Sequence, residues 1–155
     1  MKVTICAVGR LRHGPEAELI SDYLERFGKA GRALGLGPAQ VLEVEDRKNI
    51  GMEAEAVALE RALPSGAVLV TLDERGELLS SPAFAARLGA WRDAARDVAF
   101  VIGGADGLAP ALRAKADWSL SFGPMVWPHM LVRVMLAEQL YRAGQILAGT
   151  PYHRA

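Results

Sequence analysis

The chain carries a single cysteine, Cys6, in 155 residues. That excludes an internal disulfide and most cysteine-rich metal sites, and it suits a reducing compartment. Cys6 lies in the apolar run from Val3 to Val8 and reads as core filler. No metal is expected. Net charge is also missing, because 18 basic and 18 acidic residues cancel. The chain as a whole therefore lacks the electrostatic footprint of a nucleic-acid or membrane binder, and any charged partner must be met by a local patch. A membrane-spanning run is absent too: the hydrophobic C-terminal stretch is interrupted by Arg133, Glu138 and Arg142. The opening "MKVTICAVGR" has one lysine and too short an apolar core for a signal peptide. A soluble, cytoplasmic protein with no membrane partner is expected. What the chain does have is apolar mass, with 51% hydrophobic residues. At this length a single domain over residues 1–155 buries roughly 70% of its unfolded surface.

Short β-branched runs alternate with alanine- and leucine-rich helical ones. Val3 to Val8, Val41 to Val44, Val68 to Leu72, Val98 to Ile102 and Trp118 to Phe122 read as strands. Glu16 to Phe27, Met52 to Leu63, Pro82 to Ala94 and Pro110 to Ala116 read as helices, with Pro82 and Pro110 placed as starters. Lys29 to Pro38 is expected to be a glycine-rich loop. Strand and helix in alternation predict an α/β fold, a mostly parallel sheet with helices on both faces.

Ligands gather at the carboxyl ends of parallel strands. Three such ends stand out: "VTLDERG" at Val70 to Gly76, "VIGGADG" at Val101 to Gly107, and "SFGPMVWPH" at Ser121 to His129. Gly103, Gly104 and Gly107 would let backbone approach a ligand closely and present its amides, or would simply make a tight strand-to-helix turn. After the first strand, "GRLRHG" has phosphate-loop glycine spacing, but Pro15 and Glu16 stand where lysine and a hydroxyl residue are needed. A dinucleotide fingerprint of the G-x-G-x-x-G type is absent there as well, so the site is expected late in the chain.

The last helix is apolar nearly all round. At 100° per residue, Glu138, Arg142 and Gln145 share one narrow face and His129 and Arg133 the opposite one, with aliphatic residues over the rest. Such a helix must be covered on nearly all sides, and a second copy of the chain is the simplest cover, so a homodimer with this helix in its interface is expected. Glu138 and Arg142 also read as a plain intrahelical ion pair.

"VIGGADGL" at Val101 to Leu108, "WPHMLVRVMLAEQLYRA" at Trp127 to Ala143 and the terminal "PYHR" at Pro151 to Arg154 resemble the RlmH (YbeA) family of the SPOUT superfamily, and the likeness runs the whole length. The resemblance implies a homodimer whose C-terminal segment makes a deep trefoil knot. It further implies an S-adenosylmethionine-dependent methyltransferase for N3 of a pseudouridine, in the intersubunit stem-loop of 23S rRNA within the assembled 70S ribosome. Carried over to this chain, the cofactor loops are Leu72, Gly103, Gly104 and the segment Phe122, Gly123, Pro124, Met125, Val126 and Trp127. Many members carry a threonine and a leucine before the Pro-His where this chain has Val126 and Trp127, which removes a hydroxyl near the cofactor.

The chemistry fits these residue types. An adenine wants a flat apolar slot, which Leu72, Met125, Val126 and Trp127 supply, and Trp127 either stacks there or packs in the core. Methyl transfer is an in-line displacement that depends on positioning. The imide N3 is protonated at neutral pH, so a group must take its proton. His153 is the first candidate and His129 the second, with Glu138 and Tyr152 beside them. His129 equally suits a plain backbone contact at a helix start. The tail Tyr152, His153 and Arg154 is expected to fold over the site of the partner subunit, to stack on a base and grip phosphate. Arg133, Arg142 and Arg154 are candidate RNA contacts, with Arg10 and His13 as weaker ones. The neutral charge favours a preformed ribosomal surface over free RNA. Two other readings remain: a catalytically silent ribosome-binding module, and a small-molecule enzyme binding a phosphate compound at "GGADG".

Overall fold

The computed structural model describes residues 1–45 and 51–154. Five strands and five helices alternate: β1 (Val3–Val8), α1 (Pro15–Gly31), β2 (Ala39–Val44), α2 (Gly51–Ala62), β3 (Val68–Leu78), α3 (Ser81–Asp93), β4 (Val98–Ile102), α4 (Pro110–Lys115), β5 (Trp118–Ser121) and α5 (His129–Ala148). The strands form one sheet in the order β2-β1-β4-β3-β5. Every pairing is parallel. The expected α/β architecture is therefore present.

Alternation along the strands divides the core. Val3, Ile5 and Ala7 of β1, with Val98, Phe100 and Ile102 of β4, face α1, α3 and α5. Cys6, Val8 and Val101 face α2 and α4 through Ala56, Leu59 and Leu112. All residues of β1 and β4 are buried, as a central parallel strand covered on both faces demands. Each large aliphatic side chain so buried contributes on the order of 2 kcal/mol. Cys6 is wholly enclosed, and burial pushes its thiol up to about 11.

Two expectations change. Lys29 to Pro38 is not all loop: α1 runs on to Gly31, and Arg32–Leu34 form a short 3-10 turn. Gly31 does not break the helix, because its missing side chain makes room for the chain returning at Leu36; a Cβ there would lie 2.5 Å from the Leu36 carbonyl oxygen. β3 also continues past Leu72 to Leu78, re-pairing with β5 after a register shift. Gly76 permits the crossing, since a Cβ would sit 2.7 Å from the Ser119 backbone.

α5 packs against α1 and α3, which cover more of it than its all-round apolar sequence suggested. Met130 and Leu131 nevertheless stay 40% exposed. Its end is set by Gly149, in the left-handed region at φ 72°, with the Gly149 amide bonded to Ile146 O at 3.1 Å and the Thr150 amide to Gln145 O at 3.1 Å. This cap turns Pro151 to Arg154 back along the helix. Among the described residues, no helix is long and apolar enough to cross a membrane.

Candidate functional site

The neighbouring strands β4, β3 and β5 end around a cleft of about 680 Å3. Leu72 enters it from β3, Gly103 and Gly104 from β4, and Phe122, Gly123, Met125, Val126 and Trp127 from the segment after β5. His129 and Val132 bring the first turn of α5 to the same wall. Pro124 is exposed and outside the lining. The sequence-expected cofactor residues thus converge, with that one exception.

Of the two roles expected of these glycines, close backbone approach to a ligand and a tight turn after the strand, the turn is directly visible. A Cβ on Gly103 would lie 2.5 Å from Gly107 O, and one on Gly104 would meet Val8 at 3.2 Å and the Glu55 carboxylate at 3.3 Å. Both directions lead into the protein and not into the cleft. These glycines let the loop fold back on itself, closed by the Gly107 amide bonding to Gly104 O at 3.0 Å. At the three glycines backbone forms this wall, which suits hydrogen bonding to the edge of a planar ligand, and Ala105 and Asp106 complete it.

Sequence reading missed two supports. Ser121, at the end of β5, donates to Glu74 O at 3.1 Å and accepts from the Gly123 amide at 3.0 Å, tying the β3 extension to the wall of the cleft. Asp73 receives Arg75 Nε at 2.9 Å and Nη2 at 3.1 Å, with Arg113 Nε 3.6 Å away. Burial alone would raise the Asp73 carboxyl, but the bonds and charges of Arg75, with the charge of Arg113, outweigh it and hold the pKa below the ordinary value. The signal was an acidic residue one position beyond a strand end already singled out.

A second group forms at the far end of α5. Arg142 places Nη2 2.6 Å and Nε 2.9 Å from Glu138 Oε1, and the Tyr152 hydroxyl donates to the same oxygen at 3.1 Å. The Arg142 guanidinium also lies 4.8 Å from the Tyr152 ring centre. Arg142 Nη1 stands 3.2 Å from His153 Nδ1. Arginine only donates, so Nδ1 accepts and the ring proton belongs on Nε2. Burial, reinforced by the Glu138 charge and hydrogen bond, pushes the Tyr152 phenol up to about 12. Arg154 is exposed beyond them.

Glu138, Arg142, Tyr152 and His153 are therefore assembled, but not at the cleft of their own chain. Glu138 lies nine residues and Arg142 thirteen residues beyond His129, roughly 13 and 20 Å along the axis.

Arg133 is a correction. It was expected to touch RNA, yet it is 2% exposed. Its Nη1 meets Glu43 Oε2 at 2.8 Å, and Nη2 donates to Val8 O at 2.6 Å and Gly9 O at 2.7 Å. Lying opposite Glu138 on the helix, it faces inward, where the carbonyls ending β1 and the Glu43 carboxylate satisfy a charge that would otherwise be too costly to bury. Among the described residues no cluster of potential metal ligands occurs.

Comparison with known proteins adds the following. The family model described as predicted SPOUT methyltransferase matches residues 1–153. The chain is 72% identical to the ribosomal RNA large subunit methyltransferase H of Ruegeria pomeroyi, over 99% of both chains. It is 70% identical to the protein of the same name from Paracoccus denitrificans, again over 99% of both. Among solved structures, a probable methyltransferase from Bordetella pertussis is similar with a TM-score of 0.55 at 16% identity, covering 92% of this chain and 95% of that one. A probable methylase family protein from Haemophilus influenzae gives 0.57 at 14% identity, covering 99% and 70%. These two likenesses concern the fold.

Proposed function

The chain belongs to the SPOUT methyltransferase family, and from that premise we propose that it is an S-adenosylmethionine-dependent methyltransferase of large-subunit ribosomal RNA that acts on N3 of a pseudouridine in the assembled 70S ribosome. The coarse part, a ribosomal RNA large subunit methyltransferase, follows from relatives of 72% and 70% identity over nearly the whole chain. The base, the atom and the ribosomal context are the proposal.

The observation that carries the reading is the cleft. Leu72, Ile102, Leu108, Leu120 and Trp127 give it apolar walls, and the loop from Gly103 to Gly107 adds glycine backbone at Gly103, Gly104 and Gly107 together with Ala105 and the Asp106 carboxylate. An adenine fits between such surfaces, so the residues present suit the cofactor. When bound, S-adenosylmethionine supplies an electrophilic methyl group on a sulfonium and requires no metal. Phe122 to Trp127, braced by Ser121, would hold it in place, and Asp73 with Arg75 would close the polar rim.

The acceptor side is proposed to come from a second copy. The exposed apolar stretch Met125, Val126, Trp127, Met130 and Leu131 borders the cleft and has no cover in the single chain. Two such surfaces related by a two-fold axis, with α5 helices running antiparallel, would bring the tail end of one helix to the cleft end of the other. Tyr152, His153 and Arg154 would then face the partner's cofactor. In that arrangement His153, its Nδ1 held by Arg142, offers Nε2–H to a uracil carbonyl. Glu138, bonded to Arg142 and Tyr152, is in that arrangement the proposed acceptor of the imide proton in place of His153, whose Nδ1 is engaged by Arg142, and Tyr152 stays a neutral phenol at physiological pH. His129, at the edge of the cleft, is the alternative proton acceptor. The knotted path of the last segment and the single-domain reading of residues 1–155 belong to the same proposal.

The test is transfer of labelled methyl from S-adenosylmethionine to ribosomes lacking the modification, beside free large subunits and stripped RNA, with the product base mapped by mass spectrometry. Label on one pseudouridine N3, strongest with assembled ribosomes, is expected. Cofactor binding with no transfer to any of the three would send the activity to another acceptor. For the shared site, a variant lacking Tyr152 to Ala155 mixed with one carrying a blocked cleft should recover activity that neither has alone.

A further inference from the structure

Resting on the RNA substrate of that reading, we infer that the loop Gly9–Gly14 is a second RNA contact surface, a grip for backbone phosphates that the buried guanidinium of Arg133 holds in position. The loop starts beside the cofactor cleft: β1 and β4 are paired with Ala7 opposite Ile102, and Val8 touches the space beside Gly104. It is anchored on its inner side by three contacts. Arg133 Nη2 binds the carbonyls of Val8 and Gly9 at 2.6 and 2.7 Å, and the Leu11 amide donates to Glu43 Oε2 at 2.6 Å, the same oxygen that receives Arg133 Nη1. Leu11 is thereby turned inward, toward the partly enclosed groove beneath α1.

The outward side chains are Arg10, Arg12 and His13, all exposed. Neither arginine has an ion pair or side-chain hydrogen bond among the described residues, a state they share with Arg32, Arg61, Arg96 and Arg154, while Arg26, Arg75, Arg87, Arg92, Arg113, Arg133 and Arg142 are each matched with a carboxylate; what sets Arg10 and Arg12 apart is their place together on an anchored loop beside the cleft. Glu43, the acid at the base of the loop, is already committed to Arg133 and Leu11. Glu16 and Glu18 in the first turn of α1, at the positive end of that helix, and Glu45, one residue past the Val44 carbonyl that receives the Gly9 amide, are nearby acids. In a chain with zero net charge, two unmatched arginines on an anchored loop at the carboxyl end of the sheet form a local positive site. Backbone phosphate is the partner that such a site fits, since point contacts from arginine position an RNA without reading its bases. Arg133 is in this scheme a positioning residue: it never meets RNA but fixes the loop that does.

The experiment compares the full-length protein with Arg10→Ala/Arg12→Ala, and with Arg61→Ala/Arg96→Ala as a control of equal charge loss. Arg61 lies in the last turn of α2 and Arg96 just before β4, both exposed and both at the amino ends of the strands. Ribosome binding is followed by co-sedimentation over a range of salt concentrations, and methyl transfer and cofactor affinity are measured on the same samples. The loop variant should bind ribosomes about tenfold more weakly, with the slope of log affinity against log salt smaller by about two. Its cofactor affinity should stay unchanged, and the control should bind as the parent does. Equal ribosome binding and salt slope in parent and loop variant overturn the inference, whatever the transfer assay gives. Absence of transfer by the parent, with loop-dependent binding intact, overturns the methyl-transfer reading instead. Arg133→Lys, which keeps the charge but cannot span Val8, Gly9 and Glu43 together, should raise the KM for ribosomes more than it lowers kcat. A loss confined to kcat would remove Arg133 from the positioning role.

Discussion

Arg133 Nη2 lies 2.7 Å from the carbonyl oxygen of Gly9, a residue 124 positions earlier in the chain. One guanidinium thus joins the second turn of the last helix to the end of the first strand, in a place almost closed to water. Arg133→Ala removes the cation and leaves two strand-end carbonyls and the Glu43 carboxylate without their donor. Loss of about 3 kcal/mol is expected in urea unfolding. Unchanged stability would mean that water replaces the guanidinium without cost.

Gly103→Ala places a methyl group where Gly107 O already stands, so the loop has to open. Cofactor affinity should fall at least about tenfold, by calorimetry. Gly107→Ala meets no atom within 4 Å but asks alanine to adopt φ 80°, and a cost of about 1 kcal/mol in stability with a smaller loss of affinity is expected. If the two variants bind the cofactor equally, close packing within the loop is not what shapes the cleft.

The Tyr152 phenol predicts an alkaline transition in the tail. Its folded pKa is raised to about 12, mainly by burial and then by Glu138, against about 10 for a free phenol. A raised value means that the folded state favours the protonated form, so this contribution is complete below pH about 10 and disappears as the pH climbs through about 12. Spectrophotometric titration of the parent against Tyr152→Phe should assign one late-ionising tyrosine to this position. Coincident ionisation of all the tyrosines near 10 would show that the tail is not docked on Glu138.

Leu131→Glu puts a carboxylate on the exposed apolar stretch beside the cleft without disturbing the buried face of α5. Sedimentation should show dimer for the parent and monomer for the variant at the same micromolar concentration, with thermal stability of the monomer fold retained. A monomeric parent would remove the shared-site arrangement altogether.

The strands and helices were legible because β-branched runs and proline starters gave local signals that the packing then reinforced, and β1 and β4 begin and end where the sequence placed them. The errors have nonlocal causes. Gly31 and Gly76 look like breakers in one dimension, and only the chain lying against them, at Leu36 and Ser119, shows that they permit continuation. Arg133 looked like a surface cation, because the carboxylate and carbonyls that make its burial tolerable lie about a hundred residues away. The cleft residues came from strand ends and family likeness, and they do converge. The bracing by Ser121, Asp73 and Arg75 depends on how the β3 extension crosses β5, which periodicity does not encode.

Cys6, sealed in the middle of the sheet with its thiol pushed up to about 11, makes the native sequence its own unfolding reporter. A thiol reagent reaches the sulfur only when α2 and α4 lift from the sheet or β1 leaves it. Alkylation therefore counts openings of the core and ignores fraying of the tail. Every variant above can be ranked by its labelling rate in native buffer, with no dye, tag or denaturant.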